Sequence, residues 1–119
     1  MLSIIINHNN NSINYITKYI SFLQNIIQNY HIQLLIINCN NEINDIIINN
    51  INPNLIISIY NYSCEFNDSI YNDILKFATY DNILFTTYNT FFTNIFLDWI
   101  SNNTIDQNSY IKTNIFTIN

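Results

Sequence analysis

The chain contains no glycine, no arginine, a single proline and only two cysteines, and each shortage closes off a class of protein. Without glycine there is no Gly-rich phosphate loop of the Rossmann or P-loop kind, because backbone that close to a phosphate leaves no room for a Cβ. Dinucleotide dehydrogenases and P-loop NTPases are set aside on that ground. Turns that require positive φ must use Asn or Asp, the residues that tolerate the left-handed region best after glycine. The cations are Lys18, Lys76 and Lys112 alone, and the formal net charge is -5. Nucleic acid is therefore not expected as a partner, since phosphate neutralisation takes clustered cations, and anionic membrane surfaces are disfavoured for the same reason.

Cys39 and Cys64 are too few for a disulfide framework. Each follows an apolar run, so they form either a bridge or thiol pair between adjacent strands or two small buried side chains; a C-x-x-C spacing is lacking. No apolar run is long enough to span a bilayer, and Met1-Leu2-Ser3 lacks the basic start of a secretory signal. The expectation is a soluble, cytoplasmic or otherwise intracellular protein. At 119 residues it makes one domain with one core. Charged residues are only 9% of the chain, well below the usual quarter.

What fills the space is Ile and Asn, together more than two residues in five, a bias that looks like coding pressure from an AT-rich genome. The Asn runs are broken every few residues by Ile, Leu or Phe at strand or helix period, which argues for a packed fold rather than a prion-like tract. The first stretch, Ser3-Ile4-Ile5-Ile6-Asn7-His8-Asn9-Asn10, sets a rhythm of apolar run, polar exit and helical pattern. Continuous β-branched runs without alternation predict strands covered on both faces, as in parallel sheets. Ile4 to Ile6 are read as the central strand, and His8 to Asn11 as the loop at its carboxyl end.

A helix follows on Ile16, Tyr19, Ile20, Leu23, Ile26, Ile27 and Tyr30, with Ser12 as N-cap. Further strands are expected at Ile32–Ile37, Leu55–Tyr60, Ile83–Thr86 and Ile111–Ile118. Further helices are expected over 43–51, ending before Pro53, over 70–78 with Asp68 or Ser69 as N-cap, and after Asn89-Thr90. The last of these is expected to turn Phe92, Ile95, Phe96, Trp99 and Ile100 inward. The order β-α-β-α-β-α-β-α-β, with right-handed crossovers, gives an α/β fold: a mainly parallel sheet with helices on both faces.

Open sheets of this kind hold ligands at the carboxyl ends of their strands. Candidates there are His8, Asn9, Asn38, Asn40, Glu42, Glu65, Asp68, Thr87 and Asn89. His8 is either a base or ligand or simply a hydrogen-bonded loop side chain. Glu42, Glu65 and Asp68 are either a weak cation site or ordinary solubilising and capping carboxylates. Tyr60, Tyr62, Tyr88 and Tyr110 are candidates for an interaction surface.

In order and spacing, residues 2–100 resemble the nucleotide-sugar-binding half of family-two glycosyltransferases, the GT-A fold. Ser3 to Asn10 is similar to the family's opening S-I-I-I-P-x-Y-N. The run Gln33-Leu34-Leu35-Ile36-Ile37-Asn38-Cys39-Asn40-Asn41 is similar to E-I-I-I-V-D-D-G-S, with Asn38 in place of a base-contacting aspartate. Asn72, Ala78, Asp81, Ile83 and Phe85 agree with A-R-N-x-G-x-x-x-A and G-D-Y-I-x-F-L-D-x-D, but Thr87 and Asn89 replace the metal-binding D-x-D.

The resemblance implies a single truncated, nucleotide-diphospho-sugar transferase-like domain over 1–119 that contacts a nucleotide sugar through His8, Asn9, Asn38, Asn40, Asn72, Thr87 and Asn89. It also implies impaired catalysis, because the two carboxylates that would hold manganese or magnesium against the diphosphate are missing, as is the acceptor half. No cofactor is expected, and a divalent cation is disfavoured. The alternative is a non-enzymatic protein-interaction or structural module on the same fold, acting as a homo-oligomer or with a protein partner.

Overall fold

The computed structural model describes residues 1–8, 13–27, 29–39, 52–63, 65–87 and 90–102. Within them the chain runs β1 (Leu2–His8), α1 (Ile13–Ile26), β2 (Ile32–Asn38), β3 (Leu55–Asn61), α2 (Asp68–Leu75), β4 (Ile83–Thr86) and α3 (Asn94–Asn102). The four strands form one parallel sheet in the order β3-β2-β1-β4. The four expected strands in this part of the chain are present, and β1 lies inside the sheet as read. The helix expected over 43–51 and the strand expected at Ile111–Ile118 lie outside the described residues, as does the proposed cap Ser12.

Strand side chains alternate between two faces, and each face has its own core. On one face Leu2, Ile4 and Ile6 of β1, Ile32, Leu34 and Ile36 of β2, and Leu55 of β3 pack against α1 and α3. From α1 come Ile16, Tyr19, Ile20 and Leu23, with Ile27 just beyond it, spaced three and four apart so that one stripe meets the sheet. On the other face Ile5, Leu35 and Ile37 meet Ile70 and Ile74 of α2. The chain passes from β1 to β2 over one face and from β3 back to β4 over the other. Right-handed crossovers demand this when the direction of travel across the sheet reverses.

Three local expectations are corrected. The N-cap of α2 is Asn67, whose side-chain oxygen accepts the Ile70 backbone N–H at 3.2 Å; Asp68 stands one position later, in the first turn, where its charge suits the helix dipole. In α3 the inward residues are Leu97 and Ile100, with Phe92 and Phe96 against the α1 core. Ile95 and Trp99 face outward, Ile95 being 78% exposed. That helix is apolar almost all round, so periodicity alone did not say which side meets the sheet. Finally, His8 is not a loop residue. It is the last residue of β1, paired in register with Asn38, and is fully buried.

The connection from α2 to β4 is fastened to the amino ends of β1 and β2. The buried Ser3 hydroxyl donates to Gln33 Oε1 at 2.8 Å, and the same oxygen accepts the Thr79 N–H at 2.7 Å. Gln33 Nε2 donates to the Phe77 carbonyl at 2.9 Å, and Ser3 Oγ accepts the Tyr80 N–H at 3.1 Å. Two polar side chains in otherwise apolar strands thus take up main-chain groups that would otherwise be left without partners.

Candidate functional site

The strand order reverses at β1: the chain moves outward through β2 and β3, then returns to place β4 on the other side of β1. Both β1 and β4 run on into helices of the same face, α1 and α3, so this edge is marked by the reversal of strand order, the point at which open α/β sheets take ligands. The residues at the strand exits there are His8 from β1, Asn38 from β2, Asn61 from β3 and Thr87 just after β4.

The register places His8, Asn38 and Asn61 in one row across three strands. Asn38 Nδ2 donates to Asn61 Oδ1 at 2.8 Å, so the two amides orient each other. Burial pushes the His8 imidazole below its ordinary pKa; near neutral pH the ring is uncharged, with one donor and one acceptor nitrogen. One position earlier in β1, on the other face of the sheet, Asn7 Oδ1 is buried and has no hydrogen-bond partner among the described residues. On the β4 side of this edge the Thr87 and Thr90 hydroxyls are 2.9 Å apart, and the Thr90 N–H reaches the Thr87 carbonyl at 3.1 Å. The site is a neutral hydrogen-bonding rim of amides, an imidazole and hydroxyls.

Next to this rim, Tyr62 ties the exit of β3 to α2. Its N–H donates to the Asn38 carbonyl at 2.8 Å, and its hydroxyl donates to Asp73 Oδ2 at 2.7 Å. Burial, followed by that hydrogen bond and the negative charge of Asp73, pushes the Tyr62 phenol up to about 12, so it remains a donor at neutral pH.

Of the residues nominated from the sequence, His8, Asn38 and Thr87 stand at the carboxyl edge. Asn72 does not join them: it is exposed on α2, about half a turn round from the inward Ile70 and Ile74. Glu65 and Asp68 are exposed before and at the start of α2. Asn9, Asn40, Glu42, Asn89, Tyr88 and Tyr110 lie outside the described residues. So does Cys64; Cys39 is half-buried in the α2-face core with Tyr60 and Tyr62. Among the described residues no three His, Cys, Asp or Glu side chains gather closely enough to hold a metal ion, and no helix is long and apolar enough to cross a membrane.

Three residues at this edge went unnominated: Asn61, Asn7 and Thr90. For Asn61 a signal was present, since β1, β2 and β3 each pass from Ile-rich sequence to a polar residue at the same register level. Comparison with family models, with curated proteins and with solved structures returned no match for this chain.

Proposed function

We propose that the carboxyl edge of the sheet binds a nucleotide sugar, on a glycosyltransferase-like domain related to the GT-A, nucleotide-diphospho-sugar transferase-like fold but lacking its transfer chemistry. The observation that carries this reading is the switch in strand order at β1, with His8, Asn38 and Thr87 at the exits around it. Amide side chains present a donor and an acceptor side by side, which suits the edge of a nucleobase, and hydroxyls such as those of Thr87 and Thr90 suit a ribose or hexose. The group expected to fail is the diphosphate. With Thr87 and Asn89 in the D-x-D places and no arginine in the chain, no described side chain at this edge supplies the charge that stabilises a departing nucleoside diphosphate. The reading is therefore binding without efficient transfer.

The test is a thermal melt with a uridine diphosphate sugar, with and without manganese. A ligand at ten times its dissociation constant stabilises the native state by about 1.4 kcal/mol, a rise of several degrees for a domain of this size. No rise at millimolar ligand under either condition overturns the reading.

The second reading, a non-enzymatic interaction module, is favoured by one observation: a large amount of apolar side chain is left on the outside. Ile95 is 78% and Ile56 58% exposed, and Phe77, Phe85, Phe91 and Trp99 are also exposed. Self-association or partner binding with no response to nucleotide sugars selects it.

A further inference from the structure

Every residue of β3 from Leu55 to Asn61, and its flanks from Pro53 to Ser63, is uncharged. Yet β3 pairs with β2 on one side and with no described strand on the other. Natural edge strands are guarded by charge, proline, a bulge, shortness or a covering segment; the seven residues of β3 carry none of the first four, and no described strand pairs with their outer side. The direction of the main chain can be read from two hydrogen bonds to the neighbouring strand. The Asn54 carbonyl accepts from Ile32 and the Tyr62 N–H donates to Asn38, so even-numbered residues of β3 address β2. Ile57 and Ile59 therefore direct their N–H and carbonyl groups away from the sheet.

Pairing this edge antiparallel with a copy of itself about Ser58 sets Ile57 opposite Ile59 of the other copy in both directions, as hydrogen-bonded pairs. On the α2 face the same register sets Ile56, 58% exposed, opposite the other copy's Tyr60. Tyr60 is stacked on Phe77 at 4.8 Å, and Phe77 is itself 47% exposed. The pattern is thus self-complementary: each copy offers one apolar side chain and one aromatic stack, and receives the same. With no charge on the edge, no like charges are brought together across the axis.

We propose that β3 is an isologous docking edge for a second copy of this chain, joining the four described strands of each copy into one continuous sheet. Strand β4 is the weaker alternative, being only four residues long. A two-fold contact closes on itself and yields dimers rather than fibres. A standard interface uses roughly 20–30 residues a side. This edge with Phe77 offers fewer, so the dimer is reversible, with a dissociation constant on the order of ~10–100 µM. The inference is independent of any ligand at the carboxyl edge, and its test contains none.

Sedimentation velocity over a concentration series spanning that range should show a monomer–dimer equilibrium. Ile56→Lys, at a position already exposed and hence neutral for the monomer's stability, should raise the dissociation constant at least tenfold by setting an ammonium against the other copy's Tyr60 and Phe77. Ser58→Cys provides a second reading, because the axis places residue 58 opposite itself as a non-hydrogen-bonded pair with Cα atoms about 4.5 Å apart, within disulfide reach. Glutathione disulfide should oxidise the two thiols to one interchain disulfide, itself being reduced to two thiols, while Ile95→Cys on α3 and the native chain give little dimer. A monomer at every concentration, an Ile56→Lys chain that associates as before, or equal cross-linking at residues 58 and 95 would each overturn the proposal.

Discussion

The two ends of this sheet use the same kinds of side chain for different work. At the amino end, Ser3 and Gln33 sit on the α2 face and their hydrogen bonds run to main-chain groups of Phe77, Thr79 and Tyr80. At the carboxyl end, His8, Asn38 and Asn61 sit on the α1 face as a row, and the amides of Asn38 and Asn61 hydrogen-bond laterally. The amino-end polar groups hold a passing segment of chain. At the carboxyl end the two amides hold each other, at the edge where a parallel sheet presents its ligand groups. A buried polar residue is thus a fastening where a crossover passes and, on the function proposed above, a recognition group where the strands exit.

The contrast puts the largest effect at the amino end. Gln33→Leu leaves the Phe77 carbonyl, the Thr79 N–H and the Ser3 hydroxyl without their partner, and is expected to cost about 2–4 kcal/mol by urea denaturation. Adding Ser3→Ala should cost less than the sum of the two single changes, because the residues share one network. A loss under ~0.5 kcal/mol for Gln33→Leu would mean that the connection is held by packing alone.

The next effect in size lies at the carboxyl end and has the opposite character. Asn38→Ala releases Asn61, which is exposed and can turn to water, so a loss of only about 1 kcal/mol is expected. The same change should remove any melting-temperature rise given by a uridine diphosphate sugar, whereas folded Gln33→Leu protein should keep it. Equal ligand responses in the two variants would erase the functional half of the contrast.

The smallest effect is a pH effect at His8. Because burial lowers its folded pKa below 6.5, the unfolded chain takes up the proton first as the solution is acidified. This contribution is complete above about pH 6.5 and is lost as pH falls through the folded value. Urea midpoints of native protein and His8→Gln, compared at neutral and mildly acidic pH, should show the native chain losing more. Parallel acid losses would mean that the imidazole is solvated in the folded state.

Much of the architecture was legible because Ile runs and helix-period stripes leave few alternatives. Leu34-Leu35-Ile36-Ile37 cannot put polar residues on either face, so it must be covered on both, and α1 shows an apolar stripe broken by Lys18 and Ser21 on the outside. The site was only partly legible. His8 and Asn38 were identifiable as strand exits, but their adjacency in one row depends on register, which no single strand encodes. Asn72 matched a sequence pattern and yet faces solvent, because Ile70 and Ile74 take the one inward side of α2. Ser3 and Gln33 looked like blemishes in apolar strands; their purpose appears only once the segment after α2 is laid across them.

The sequence by itself determined that this chain builds β-strands buried on both faces, alternating with amphipathic helices, and that it has no glycine cradle and no cationic cluster with which to grip phosphate. Only the tertiary structure decided the order β3-β2-β1-β4, the row formed by His8, Asn38 and Asn61, and the uncharged outer edge of β3. The physical reason is that burial pattern and helix period are local properties of the chain, whereas strand neighbours and register are fixed by crossovers that join residues about thirty to eighty positions apart.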